Sequence, residues 1–481
     1  MSGGARIVLP ESTLLGATII EGLQLIEREL MLFALFWFVV GMVDEMTMDA
    51  IWLMLRLKSC YRTHTVCEPG GRALHRPLSV FIPAWREADV IGTTVSHMLG
   101  VWPQRELLIL VGCYRNDAET VAAAMAGAGI DHRVRLVIHD AVGPTTKADC
   151  LNRLYIALCD EERRAGMRFG GVLLHDSEDM VHPLELEQVD EALSQVDFVQ
   201  LPVRPEFPPG SHWVAGHYCD EFVESHAKGL VVRDALGAAL PAAGVGCGFG
   251  RDMLEQIAAV RRRGGENGPF AAECFTEDYE LGLLIGRLGG RSRFLRRRDA
   301  DGQLIATRSY FPASLPHAVR QKTRWIHGIA LQGWDRLGWW GRPVDIWMSL
   351  RDRRGPLTAL VLAAAYALVL IDGLLAAISL AGWQSHPLLW HPSGMMMTAA
   401  GLCMLGLAWR MAMRVMFTTR EYGLREGLYS VLRIPVANVI TIIAGRRAFV
   451  AYCRSLAGRR IVWDKTEHHI HPANVALRGA A

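Results

Sequence analysis

Carboxylates gather at His175-Asp176-Ser177-Glu178-Asp179 and again at Thr276-Glu277-Asp278. Asp176, Asp179 and Glu178 are hard oxygen donors of the kind that hold Mg2+ or Mn2+, usually one or two per ion with phosphate oxygens filling other positions. Asp278, beside Glu277, could serve as a general base, which must reach the proton of an attacking hydroxyl directly. Gln321, Arg324 and Trp325 fall at i, i+3 and i+4, so one helical face would present an amide, a fixed cation and an indole. Arginine binds a diphosphate bidentately, and tryptophan can floor a sugar ring. Lys147 and Asp149 follow Gly143-Pro144 in a loop that could meet a nucleotide or its phosphates. In this order, the groups are those needed to move a sugar from a nucleotide diphosphate to an acceptor.

Each segment alone has a plainer explanation. The first acidic cluster precedes a helical pattern at 183–189 and could simply complement a helix dipole. Thr-Glu-Asp is also an ordinary N-cap with first-turn acids. Arginine and tryptophan often anchor a chain at a membrane surface, and Lys147 and Asp149 could be solvated.

The elements around these residues alternate strand and helix. Residues 78–82, 106–111, 135–138 and 171–174 read as buried strands, and 90–98 and 118–126 as helices between them. The expected fold class is therefore α/β with a mostly parallel sheet and crossovers. Ligands bind beyond the carboxyl ends of such strands, where Pro83, Arg86 and Glu87, then Gly112 to Asp117, then the first acidic cluster all fall.

With 51% hydrophobic residues in 481, the chain is too apolar for a purely soluble protein of its size. Residues 356–382 are long enough to cross a roughly 30 Å bilayer core, and 392–417 form a second candidate. The loop between them lacks lysine and arginine, whereas arginines flank both spans, which places the flanks in the cytosol. The stretch 30–43 is short for a span and is followed by Asp44-Glu45, so either that helix ends early or the acids face a partner helix. It lacks a cleavable signal pattern. Residues 428–447, interrupted by Arg433, Pro435 and Asn438, read as an amphipathic helix lying in the cytosolic interface. The resulting division is 1–62 membrane and interface helices, 77–343 a cytosolic catalytic domain, 344–453 two spans and the interface helix, and 454–481 a terminal segment. Net charge of only +2 gives no reason to expect a nucleic-acid partner. Ten cysteines without a CxxC pair fit reduced, buried thiols rather than a disulfide framework or zinc site.

Taken jointly, the segments resemble the processive membrane glycosyltransferases of family 2, the group of bacterial cellulose and hyaluronan synthases, whose catalytic domain is GT-A. HDSEDM, GPTTKADCLN, AGVGCGFGR, RQKTRWIHGIALQGW and WDKTEHHIH look like the NfrB-type branch, inner-membrane proteins of phage adsorption. The resemblance implies that Asp176 and Asp179, with Glu178, hold Mg2+ or Mn2+ and the diphosphate, and that Asp278 is the base. Gln321, Arg324 and Trp325 would serve the diphosphate and acceptor end, and Pro83, Glu87, Lys147 and Asp149 the nucleotide pocket. Gly246 would lie in an acceptor-side loop, and Trp463, Lys465 and Thr466 in a gating segment. It also implies a UDP-sugar donor, a growing glycan or lipid acceptor, the inner membrane, and an NfrA-like outer-membrane partner. Many relatives carry an Asp-Asp-Gly sequence contacting uracil where this chain has Gly112-Cys113-Tyr114-Arg115-Asn116-Asp117, leaving Asp117 among the candidates for that contact. Longer members end in a cyclic-di-GMP sensor; this chain ends soon after His471, so direct control by that nucleotide is not expected.

Overall fold

The computed structural model describes residues 11–58, 63–68, 70–381, 391–458 and 470–473. They fall into two compact units, Met1–Thr47 with Leu357–Met413, and Met48–Pro356 with Arg414–Ala481.

The second unit is built on a seven-stranded sheet. Its strands are β1 (Leu78–Pro83), β2 (Leu107–Tyr114), β3 (Val134–His139), β4 (Gly171–Leu174), β5 (Phe198–Gln200), β6 (Cys247–Gly250) and β7 (Ser292–Phe294), in the order β3-β2-β1-β4-β6-β5-β7. All pairs are parallel except those of β6, which runs antiparallel to both β4 and β5. β1, β2 and β4 are continuous apolar runs because helices cover both faces, leaving no solvent side to demand alternation. Val80, Ile82, Ile109, Val111, Leu173 and Val199 form the core with Trp102 from the helix-to-strand connection. Fully burying each such side chain stabilises the fold by about 1.5–3 kcal/mol.

Register decides where the chemistry goes. Pro83 pairs with Gly112 and Phe81 with Leu174, so β1, β2 and β4 end side by side. The antiparallel β6 pairs its first residue, Cys247, with Leu174 and Gln200, which brings the loop before it to the same edge. The expected strands at 78–82, 106–111, 135–138 and 171–174 are all present within one to three residues at their ends. The described cysteines are free, and Cys113, Cys150, Cys219, Cys247 and Cys274 are buried.

One helical alternative is decided and one expectation needs correction. Of the two readings of the N-terminal stretch, the helix does not end at Asp44-Glu45 but runs unbroken over Glu11–Leu57. Glu45 Oε2 lies 3.2 Å from Arg410 Nη1 of the helix Gly394–Tyr422, so this acid faces a partner helix. The single interface helix expected at 428–447 is instead two, Leu424–Leu432 and Ile434–Leu456. Arg433 separates them, wholly buried, with Nε 2.8 Å from Asp220 Oδ2 and Nη1 2.6 Å from Glu426 Oε2. Pro435 then falls in the first turn, where its missing N–H leaves no hydrogen bond unmade.

Among the described residues, four helical segments are long and apolar enough to cross a membrane by length and composition: Thr18–Leu57, Gly355–Leu380, Gly394–Tyr422 and Ile434–Leu456. The last also buries Ala437, Ile440, Ala444 and Ala448. Ile440 packs with Ala318, Val319 and Tyr218, so this helix braces the helix Leu315–Trp325 that carries Gln321, Arg324 and Trp325.

Candidate active site

At the shared strand edge a cavity of about 580 Å³ is lined by Pro83, Glu87, Lys147, Asp176, Glu178, Asp179, Glu277, Asp278, Gln321, Arg324 and Trp325. Eleven residues chosen for their chemistry, spread from Pro83 to Trp325, thus face one space. Each arrives by a local device.

Lys147 opens the helix Lys147–Ala165. Thr146 caps it by accepting from Asp149 N at 3.2 Å, and Asp149 Oδ2 accepts from Thr146 N at 3.3 Å. This box places Asp149 in the cap rather than on the cavity wall. Lys147 points the other way, with Nζ 2.6 Å from Asp176 Oδ1. Asp176 follows β4 by two residues. Asp179 turns inward: Oδ2 lies 3.0 Å from His175 Nδ1 and accepts from Asp176 N at 2.9 Å. On the other side of the ring, His175 Nε2 is 3.0 Å from Glu185 Oε1, at ion-pair distance but off the hydrogen-bond direction. Burial lowers the His175 pKa, but the two carboxylates outweigh it and hold the ring protonated up to about 10.

Glu277 and Asp278 open the helix Glu277–Arg287. Asp278 Oδ1 accepts from Tyr279 N at 2.8 Å, and Oδ2 lies against the backbone of Gly244. A Cβ at Gly244 would come 2.5 Å from that oxygen, and its φ of +80° also excludes most side chains. Burial raises the Glu277 pKa to about 8, with the Asp278 charge adding and Lys147 opposing. Burial also raises Asp278, against the pull of Lys147. For Lys147, burial works against the charge, yet Asp176, Glu277 and Asp278 together raise its pKa. Three carboxylates thus act on one ammonium.

That imbalance bears on a metal. Among the described residues, no three His, Cys, Asp or Glu side chains converge as a complete protein cage. The excess of carboxylate oxygen fits a hard cation that takes one or two protein ligands and completes its shell with phosphates. Asp176 and Asp179, both in the cavity wall, are the residues that would hold it.

Gln321 Oε1 is buried and accepts no hydrogen bond among the described residues, an acceptor open to a donor in the cavity. Trp325 packs edge-on to Tyr218, with ring centroids 5.9 Å apart. On the same helix, Lys322 Nζ lies 2.7 Å from both oxygens of Glu221, which also lines the cavity.

Two further sequence candidates lie off the wall. Asp117 accepts from Arg86 N at 2.6 Å and caps the helix Ala118–Ala128, so its carboxylate is spent on backbone. Gly246, at φ +58°, faces Thr307 Oγ1 closely enough that a Cβ would clash, and it ties the loop to Leu174 O. Trp463, Lys465 and Thr466 lie outside the described residues. Sequence reasoning missed Trp85 and Thr145 and named Tyr114 only as part of the segment 112–117; all three line the cavity near Pro83. Tyr114 Oη is 2.7 Å from Thr145 Oγ1, and its ring meets Trp85 edge-on at 5.1 Å. The strand-end rule pointed there, since Trp85 and Tyr114 lie at the ends of β1 and β2. Phe222 and Phe311, also in the wall, left no such signal.

Residues 75–328 match the family described as Glycosyltransferase like family 2. The chain belongs to that family and carries a glycosyltransferase domain, of which the cavity is the candidate active site. Over 94% of its length it is 33% identical to Bacteriophage adsorption protein B of Escherichia coli (strain K12), and equally to Bacteriophage N4 adsorption protein B of Escherichia coli O157:H7. It spans 63% of the length of those relatives. Among solved structures it is similar to the mannosyltransferase PcManGT from Pyrobaculum calidifontis in complex with GDP-Man and Mn2+, at 15% identity and TM-score 0.46, covering 82% of this chain and 99% of that one. It is also similar to glucosyl-3-phosphoglycerate synthase from Mycobacterium tuberculosis in complex with Mg2+ and UDP, at 18% identity and TM-score 0.35, covering 58% and 88%.

Proposed function

We infer that the protein is an inverting transferase of the inner membrane that takes a sugar from a cytosolic UDP-sugar and adds it to a growing surface glycan. The observation that carries this reading is the convergence of Lys147, Asp176, Asp278 and Gln321 on one cavity at the carboxyl edge of a parallel sheet. Trp85, Tyr114 and Thr145 receive the nucleoside, while Lys147 at a helix N-terminus and Arg324 meet the diphosphate. Asp176 and Asp179 would hold Mg2+ or Mn2+, which when bound would supply positive charge to the departing diphosphate. Asp278, fixed by Tyr279 N and Gly244, takes the proton of the acceptor hydroxyl as that oxygen attacks the sugar carbon. Gln321 Oε1 accepts from a sugar hydroxyl. Gly246 shapes the acceptor loop, and the sequence resemblance assigns Trp463, Lys465 and Thr466 to a gating segment. An N-acetylhexosamine is the donor sugar that the sequence resemblance favours, and an NfrA-like outer-membrane protein is the partner that would pass the product outward.

The test is UDP release by the purified protein in nanodiscs with Mn2+ or Mg2+, across a panel of UDP-sugars, beside Asp278→Asn. Release with one donor that falls roughly 10²–10⁴-fold in the variant and stops with a chelator is expected. A product of one sugar on a lipid carrier, rather than a size ladder, would replace the polymer reading. No release in nanodiscs or native membranes would overturn the transferase reading.

A further inference from the structure

Away from the catalytic cavity, a small second pocket is lined by Trp52, Arg56, Thr63, Arg296 and Arg420, with Ala227 and Val231 as its floor. Arg56 lies in the last turn of the helix Glu11–Leu57 and Arg420 in the last turn of Gly394–Tyr422. A short parallel pairing of His64–Thr65 with Arg297–Arg298 brings Arg296 and Arg298 to them. Residues more than 350 positions apart thus place the guanidinium groups of Arg56, Arg296 and Arg420 around one pocket, with Arg298 sharing Glu421 beside it.

Among the described residues, one acid answers them. Glu421 Oε1 accepts from Arg296 Nη2 at 2.7 Å and also from Arg298 Nη2. The charged neighbours of Arg420 are Arg298, Arg56 and that same Glu421. Arg296 donates from Nη1 to Thr63 Oγ1 at 2.9 Å, but its Nε is buried with no hydrogen-bond partner among the described residues. Arg296 is only 8% exposed. Burial lowers its pKa to about 10, with Arg420 and Arg298 adding to the effect against Glu421. The Arg56 guanidinium is fixed over the Trp52 ring, 5.4 Å from its centroid, while Arg56 and Arg420 both remain exposed. A guanidinium stays charged at any physiological pH, so this surplus is permanent. A tetrahedral oxyanion is the chemistry that meets several guanidinium forks at once.

We propose that this pocket binds a phosphate group, supplied by the headgroup of an anionic lipid or by free phosphate. Both helices that contribute exposed arginines are long and apolar enough to cross a membrane, and both place the arginine at a helix end. A lipid phosphate therefore has the shorter route to the site.

The full chain, purified in a neutral detergent, is titrated with dioctanoyl phosphatidylglycerol, dioctanoyl phosphatidylcholine or inorganic phosphate, and binding is read by native mass spectrometry and by the melting temperature. The comparison is Arg56→Gln/Arg420→Gln, which alters exposed side chains, with Arg296→Lys as a second variant that keeps charge but loses the fork. Phosphatidylglycerol binds the wild type and raises its melting temperature, phosphatidylcholine does not, and the double variant weakens binding by roughly tenfold or more. Equal action of inorganic phosphate assigns the site to the free ion. Indifference to all three probes, equal binding of both lipids, or undiminished binding of phosphatidylglycerol by the double variant overturns the proposal.

Discussion

Lys147 Nζ and Asp176 Oδ1 lie 2.6 Å apart, joining the first turn of one helix to the segment after β4. The pair is not an isolated salt bridge, because Glu277 and Asp278 act on the same ammonium. Its side chain is 19% exposed at the cavity, so an incoming diphosphate can share it.

Lys147→Met removes that charge while keeping the length of the side chain. The donor should bind about 10- to 100-fold more weakly, the equivalent of one charge-assisted hydrogen bond of about 1.5–3 kcal/mol. Titration of UDP into the purified protein measures it. An unchanged affinity would place the diphosphate elsewhere.

Gly244→Ala tests the seat of Asp278. The new methyl would sit 2.5 Å from Asp278 Oδ2 at a backbone φ of +80°. The strain costs about 1–2 kcal/mol, and displacement of the carboxylate should lower turnover by at least tenfold with little change in donor affinity. Turnover and UDP affinity, measured side by side, separate this from general unfolding.

His175 is fully buried between Asp179 and Glu185. His175→Gln would leave two buried carboxylates without their cation, at a cost of about 3–5 kcal/mol. Denaturant titration should show that loss. Adding Glu185→Gln should restore part of it, because one uncompensated charge is then gone.

His226 sets a pH dependence. Its Nδ1 accepts from Val203 N at 2.8 Å, which requires the neutral ring, and Phe222 and Phe294 pack around it. Burial, reinforced by the Arg296 charge, lowers its pKa to about 4. A depressed histidine pKa means that the folded state binds the proton less readily than the unfolded chain. The stabilisation is present above the unfolded value near 6.5 and is lost as pH falls towards 4, on the order of 3 kcal/mol in all. Melting temperature against pH should fall more steeply for the wild type than for His226→Gln over that window.

Strand positions and the order of the chemical segments were readable because both are local. Continuous apolar runs at 78–82 and 171–174 mark buried strands, and ligand-facing residues follow strand ends. The same locality misled at Asp117 and Asp149. A carboxylate beside a strand end or loop looks like a ligand group, yet each bonds backbone N–H groups at a helix start. Short-range spacing does not distinguish the two uses.

By itself, the sequence determined the family, the α/β alternation and the candidate site residues, since periodicity and residue type survive without coordinates. Tertiary structure alone decided that Glu185 backs His175, that Gly244 seats Asp278, and that Arg56, Arg296 and Arg420 surround one pocket. Those relationships depend on strand register and helix packing between distant segments, and no local pattern in the chain records them.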